Sequence, residues 1–348
     1  MSKLNDLDFV QSLDKSDMAH LIIHTPEQVY KGYKESVIHV APSFAFDFEE
    51  HINHIVICGM GGSAISGDIA QVLFKSIKPI TVVKDFDLPH IDDKTFCIIV
   101  SYSGNTEESV ECLKKALSVT PYVAAVTSGG KVKELIDPNH FWIEIPTGLP
   151  PRAAIGYLFF SLLKVLETLG FVPNHHDEVE SVMASLMQKA GSLCLKTSAE
   201  RNLAKSSAES IHGKIPVIYS SSPILNPVAY RWKCQINENA KLPAFNHSFP
   251  EMTHNEIEAW ETEEWSKKFI PIFLRLFDDD KKYIDKITRF QELLSNQKVE
   301  FLEFYGDGDN KLCNMFTLIY LGDMISFCLG ILNNVDPTEI EFINYTKH

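Results

Sequence analysis

Two α/β domains in series, each a parallel sheet flanked by helices, are the fold that this sequence predicts, on three observations. Short apolar runs of strand length alternate with helix-length amphipathic stretches, the spacing of right-handed βαβ units. Two of the runs end in small and hydroxyl residues: Ile55-Val56-Ile57-Cys58 leads into Gly59-Met60-Gly61-Gly62-Ser63, and Phe96-Cys97-Ile98-Ile99-Val100 leads into Ser101-Tyr102-Ser103-Gly104-Asn105-Thr106. Parallel sheets present ligand loops of this kind at the carboxyl ends of their strands. The alternation then breaks at Pro146-Thr147-Gly148-Leu149-Pro150-Pro151 and begins a second time beyond residue 215.

Taken in order, residues 1 to about 50 are helical in pattern. Pro26 opens a helix holding Val29, Tyr33 and Val37, since proline suits a first helical turn. Strands are predicted at 55–58, 80–83, 96–100, 122–127 and 141–145, with a helix at 106–118 whose Val110, Leu113 and Leu117 share a face. A helix from Ala153 to Leu169 stops at Gly170. The polar, turn-forming Pro173-Asn174-His175-His176 marks a boundary. It divides an N-terminal domain with leading helices, 1–172, from a C-terminal domain, 173–348. The second domain begins with a helical stretch to Ile211 and continues with strands at 216–220, 243–246, 269–274 and 299–304.

Composition narrows the function. The chain of 348 residues carries a formal charge of −14 and no Lys/Arg-rich tail, which excludes a general nucleic-acid binder. Seven cysteines without a C-x-x-C pair or metal-ligand spacing predict reduced thiols and a cytoplasmic setting, with no metal site. The first residues lack the basic-then-apolar pattern of a signal peptide. The longest apolar run, Leu318 to Leu332, is interrupted by Asp323, so no membrane span is expected.

The two glycine- and hydroxyl-rich loops form a phosphate seat. Glycines let the backbone approach a ligand, helix-start N–H groups point outward, and Ser101, Ser103 and Thr106 add donors without adding charge. The glycine motif alone also fits a dinucleotide loop, with Asp85 or Asp87 as the ribose acid; the hydroxyls favour a phosphosugar. Further on, Gln235-Ile236-Asn237-Glu238-Asn239-Ala240-Lys241 ends a helix, and Thr253 to Glu256 matches a capping box that puts His254 at a first helical position. A helix N-terminus disfavours imidazolium, so the ring is expected neutral and able to exchange a proton near neutral pH. A carboxylate with a neutral histidine suits proton transfer beside a sugar carbonyl. Arg152, behind two prolines, is a rigidly presented guanidinium that can meet an oxyanion. Asp336-Pro337-Thr338-Glu339 opens a last helix on which Ile340, Ile343 and Lys347 share a face. By contrast, His175-His176, His212 and His247 read as ordinary packing or surface histidines.

Gly61-Gly62-Ser63 with Ser101-x-Ser103-Gly104-Asn105-Thr106 resembles a sugar isomerase (SIS) domain. Pro151-Arg152-Ala153-Ala154, Glu238-Asn239-Ala240-Lys241 and His254-Asn255-Glu256 narrow the resemblance to the bifunctional phosphoglucose/phosphomannose isomerases, across nearly the whole chain. The resemblance implies two SIS domains, each a flavodoxin-like parallel sheet flanked by helices, and an aldose–ketose isomerase working without metal or nucleotide cofactor. It implies that Glu238 moves a proton between C2 and C1, that His254 helps open the sugar ring, and that Arg152 steadies the enediolate. Gly61, Gly62, Ser63, Ser101, Ser103 and Thr106 would hold the substrate phosphate, and Lys347 would lie near the ring oxygen. It further implies a homodimer in which the histidine enters the partner's site. The competing readings are a non-catalytic SIS module that senses a phosphosugar, which would need the cradle but not Arg152, Glu238 and His254, and an amino-sugar phosphate enzyme of the same fold.

Overall fold

The computed structural model describes residues 2–40, 50–136 and 140–346. Helices α1 (Leu7–Leu13) and α2 (Met18–Ile23) come first. The chain divides into two compact units, one of Thr25–Val179 and one combining Met1–His24 with Glu180–His348.

In the Thr25–Val179 unit, α3 (Thr25–Lys34) carries Pro26 in its first turn as expected but stops short of Val37. Ser36 Oγ donates to the Gly32 carbonyl at 2.6 Å, closing the helix. The β-branched Val37 and Ile38 then enter a strand, β1 (Val37–His39), which the sequence reading had placed in the helix. There follow β2 (His54–Cys58), α4 (Gly61–Phe74), β3 (Ile80–Val83), β4 (Thr95–Ser101), α5 (Glu107–Val119), β5 (Val123–Thr127), α6 (Gly130–Leu135), β6 (Phe141–Glu144) and α7 (Ile155–Thr168). The six-stranded sheet has the order β1-β6-β5-β4-β2-β3. Every pairing is parallel except β1 with β6. Every residue of β4 is buried, as its unbroken apolar run requires of a central parallel strand. The path from β2 through α4 goes to β3 on one side, while β4 lies on the other. The strand order therefore reverses between β2 and β4, the place where open α/β sheets bind ligands.

Helix α8 (His176–Leu193) runs past the division. The second unit continues with α9 (Leu203–Ile211), β7 (Ile215–Ser220), α10 (Asn226–Ala240), β8 (Phe245–Ser248), α11 (Glu263–Ser266), β9 (Phe269–Arg275), α12 (Lys281–Asn296), β10 (Leu302–Tyr305), α13 (Lys311–Leu332) and α14 (Glu341–Thr346). Its four strands are all parallel in the order β10-β9-β7-β8. Strand β8 starts two residues later than predicted, beyond Pro243, which has no N–H for a ladder.

Helix α13 is the core of this unit, packed by α10, α9 and α2. The leading helices, grouped by sequence with the first domain, thus contribute here. At 22 residues α13 is long and apolar enough to cross a bilayer, contrary to the reading of an interrupted run, yet its apolar window is wholly buried inside the unit. Its interior charge is matched: Asp323 accepts from Arg231 Nη2 at 2.7 Å, from Arg231 Nε at 3.1 Å and from Gln235 Nε2 at 2.9 Å. Burial pushes the Asp323 carboxyl up, and the Arg231 guanidinium opposes that shift.

Candidate active site

At the reversal point, the first turn of α4 and the loop from β4 to α5 meet. Ser63 Oγ accepts from the Tyr102 N–H at 3.2 Å, and Ser103 Oγ accepts from the Asn105 N–H at 3.2 Å. Each hydroxyl keeps its own hydrogen for an acceptor such as a phosphate oxygen. Ser101 is 1% exposed and its Oγ has no hydrogen-bond partner. Buried polar atoms are nearly always paired, so an orphan at a strand's carboxyl end needs a reason, and a ligand oxygen supplies one. Thr106 is the N-cap of α5, but its side chain makes no capping bond, so helix capping does not account for its hydroxyl. Gly104 (φ +64°) brings this loop so close to the next that a Cβ would lie 1.8 Å from the Gly129 carbonyl oxygen.

The same unit brings Arg152 to the cradle. A Cβ on Gly62 would stand 2.9 Å from the Pro151 carbonyl oxygen and 3.1 Å from Arg152 Cα, so only glycine lets α4 touch this turn. Pro151–Ala153 form one 3-10 turn, closed by the Ala153 N–H on the Pro150 carbonyl at 2.8 Å. Gln28 Nε2 donates to the Ala153 carbonyl, also at 2.8 Å. Arg152 is buried. Tyr102, which sequence reasoning passed over, ties the two loops: its OH donates to the Pro146 carbonyl at 2.8 Å and accepts from the Leu149 N–H at 2.9 Å. Burial pushes its phenol up, keeping the donor protonated.

In the other unit, Glu238 lies half-buried in the last turn of α10. Two bonds fix this helix to α13. Asn239 Nδ2 donates to Ser326 Oγ at 2.9 Å on α13, and Trp232 Nε1 donates to the Leu318 carbonyl at 2.9 Å. Lys241 ends the helix in the left-handed region (φ 51°), and its Nζ donates to the carbonyls of Glu238 at 2.8 Å and Asp336 at 2.7 Å.

The capping box at Thr253 does not form. His254 is the last residue of a short 3-10 helix, Glu251–His254, rather than the first of an α-helix. Thr253 Oγ1 donates backwards to the Pro250 carbonyl at 2.6 Å, and Asn255 Oδ1 accepts the Glu256 N–H instead, at 2.6 Å. His254 is thus not the first residue of an α-helix, and the dipole argument built on the capping box loses its premise. His254 is exposed. Glu256, freed from capping, receives His247 Nδ1 at 3.0 Å, so His247 has a carboxylate beside it that the sequence did not reveal. Lys347 lies outside the described residues. Ile343, on its predicted face, is 37% exposed. Among the described residues no group of three or more His, Cys, Asp or Glu side chains could hold a metal ion.

Comparison with known proteins assigns both halves. The family model of the SIS domain matches residues 50–133, and that of the bacterial phospho-glucose isomerase C-terminal SIS domain matches 200–348. A bifunctional phosphoglucose/phosphomannose isomerase of Caldicellulosiruptor bescii is 35% identical over 95% of this chain and 98% of its own length. One of Aquifex aeolicus is 35% identical over 84% of this chain and 89% of its own. A D-glucosamine-6-phosphate 4-epimerase of Sulfolobus acidocaldarius is 31% identical over 83% of this chain and 86% of its own. Among solved structures, a glucose-6-phosphate isomerase like protein of Thermus thermophilus shares the fold, with a TM-score of 0.66 and 17% identity, over 98% of this chain and 99% of its own.

Proposed function

The chain belongs to the bifunctional phosphoglucose/phosphomannose isomerase family, and from that premise we propose that it interconverts glucose 6-phosphate, and mannose 6-phosphate, with fructose 6-phosphate. It is an aldose–ketose isomerase. The observation that carries the substrate class is the hydroxyl cradle, above all the buried Ser101 Oγ without a partner, with Arg152 pressed against it through Gly62. In this reading Ser63, Ser101, Ser103 and Thr106, with the backbone at Gly61 and Gly62, hold the phosphate. Glu238 removes the proton from one carbon and returns it to the neighbour through a cis-enediolate, which leaves both carbons within reach of one carboxylate. Arg152 meets the oxyanion that develops. His254 helps open the ring, and Lys347 sits near the ring oxygen.

The protein acts as a homodimer, with His254 of one protomer entering its partner's site; the exposed position of His254 supports this. It resides in the cytoplasm, a setting that suits its seven free cysteines. The isomerase names of the relatives favour catalysis over a phosphosugar-sensing module. Incubation with fructose 6-phosphate, followed by identification of every aldose 6-phosphate formed, tests the reading. Glucose 6-phosphate together with mannose 6-phosphate is the expected outcome, and no aldose at all overturns it.

A further inference from the structure

His254 rides on a segment with no α-helical ladder behind it. Two short 3-10 helices, Glu251–His254 and Glu256–Glu261, meet at Asn255, where the backbone turns (φ −153°, ψ −72°). Hydrogen-bond geometry in 3-10 helices is poorer than in α-helices, so such a segment depends on side-chain anchors. Met252 and Trp260 are buried at its two ends. Between them the anchor is Glu256. One of its oxygens accepts a short hydrogen bond from the Tyr219 OH on β7, and the other accepts from His247 Nδ1 on β8 at 3.0 Å. The Tyr219 OH in turn accepts from Trp260 Nε1 at 2.9 Å. Tyr219 itself is fully buried and is held by the rings of Phe249, Phe273 and Phe290. Burial, with the neighbouring Glu256, pushes its phenol well above the usual value, so it stays a donor. A carboxylate is thus gripped at both oxygens by two adjacent strands, two residues downstream of His254. A surface glutamate serving only solubility would have no such partners; these bonds tie the start of the helix that contains Glu256 to the sheet.

We infer that Glu256 is a positioning residue for His254: clamped by Tyr219 and His247, it sets the direction in which the histidine leaves the sheet. This rests on the reading that His254 acts in ring opening. Glu256 does not touch substrate in this role. Its effect passes through the backbone at Asn255, whose side chain links the two 3-10 helices, accepting the Glu256 N–H and donating to Glu251 Oε1 at 3.1 Å.

A double-mutant cycle on the full-length enzyme separates positioning from mere stability. Glu256→Ala and Glu256→Gln are measured alone and in the His254→Ala background, with fructose 6-phosphate as substrate and thermal midpoints as a fold control. Glu256→Gln can still accept from Tyr219, so it carries the cycle if Glu256→Ala does not fold. Expected is a fall in kcat of about tenfold or more for Glu256→Ala with KM little changed, a smaller fall for Glu256→Gln, and less than about twofold further loss for either in the His254→Ala background. Equal losses in both backgrounds, or wild-type turnover for both Glu256 variants, overturn the inference. Wild-type turnover for His254→Ala alone instead overturns the ring-opening role on which it rests.

Discussion

Asn239 Nδ2 donates to Ser326 Oγ at 2.9 Å, and the residue before it is Glu238. The last turn of α10 is thereby keyed to the buried face of α13, and the backbone of Glu238 is held in place with it. A base that must serve two neighbouring carbons cannot wander. Glu238→Gln keeps the shape and removes the base. We expect isomerisation to fall by about two to four orders of magnitude while fructose 6-phosphate still binds. Wild type should also carry solvent deuterium into C2 of the aldose. An active Glu238→Gln enzyme with no solvent exchange would point to a hydride shift and end this mechanism.

The cradle makes a separate prediction, because Ser101 has no hydrogen bond to lose within the protein. Ser101→Ala should leave the thermal midpoint of the free enzyme unchanged or slightly raised. It should weaken sugar-phosphate binding by about 1.5–3 kcal/mol, the range for a hydrogen bond to a charged group. Calorimetric titration with fructose 6-phosphate and a melting curve read the two effects independently. A destabilised variant with intact affinity would show that the hydroxyl serves the fold.

Shared sites predict complementation. Glu238→Gln and His254→Ala protomers, each strongly impaired but with measurable turnover alone, should regain activity when mixed under conditions that exchange subunits. The motivating observation is the exposure of His254 on a segment anchored to the sheet through Glu256 and Trp260. An active monomer, or no rescue after mass spectrometry has shown mixed dimers, counts against the arrangement.

Arg231 and Asp323 form a buried pair at 2.7 Å inside the second unit. Removing one partner leaves an uncompensated charge, so Asp323→Ala should cost about 3–5 kcal/mol in urea unfolding. Replacing both, as Arg231→Met with Asp323→Leu, should recover most of that loss. A pair of single variants each costing under about 1 kcal/mol would mean that the interior tolerates the lone charge.

Stability of the Thr25–Val179 unit should depend on pH through Glu167 and His175. His175 Nδ1 lies 3.6 Å from Glu167, whose carboxylate also accepts from the His175 N–H and the Tyr33 OH, both at 2.8 Å. The Glu167 carboxylate close beside the ring raises the His175 pKa above the usual 6.5, so its contribution is complete below that value and is lost as pH rises through the raised one. Burial works to raise Glu167, but the bonds from His175 and Tyr33 prevail and hold it below 4.5; its contribution is lost as pH falls through the depressed value. The pair therefore contributes fully between about 4.5 and 6.5. His175→Gln should lower the urea midpoint at pH values inside that window, and the gap from wild type should shrink in mildly alkaline buffer. A gap independent of pH would assign the histidine a packing role.

The parallel strands and the cradle were legible because apolar runs ending in Gly61-Gly62-Ser63 and Ser101-x-Ser103 carry both the period and the chemistry. What escaped depends on partners distant in the chain. Val37 continues a helical pattern, and pairing antiparallel with Glu144 on β6 makes it an edge strand. Thr253 to Glu256 spells a capping box, but Tyr219 and His247 compete for the glutamate and win it. Asp323 made a 22-residue helix look interrupted because its counter-ion, Arg231, sits 92 positions earlier. Tyr102 gave no signal at all, since a tyrosine after a strand is ordinary until Pro146 and Leu149 arrive beside it.

The division of the chain also sets an order on its synthesis. A ribosome that has released residue 179 has made every strand of the six-stranded sheet, and that unit can close at once. Helices α1 and α2 leave the tunnel before that unit, yet α13, the helix that α2 packs against, is made well after it. These two helices thus wait through the synthesis of the whole Thr25–Val179 unit and beyond before they can be buried. Stalled nascent chains ending before Lys311 should show the Thr25–Val179 segment resisting protease while residues 1–24 are trimmed away.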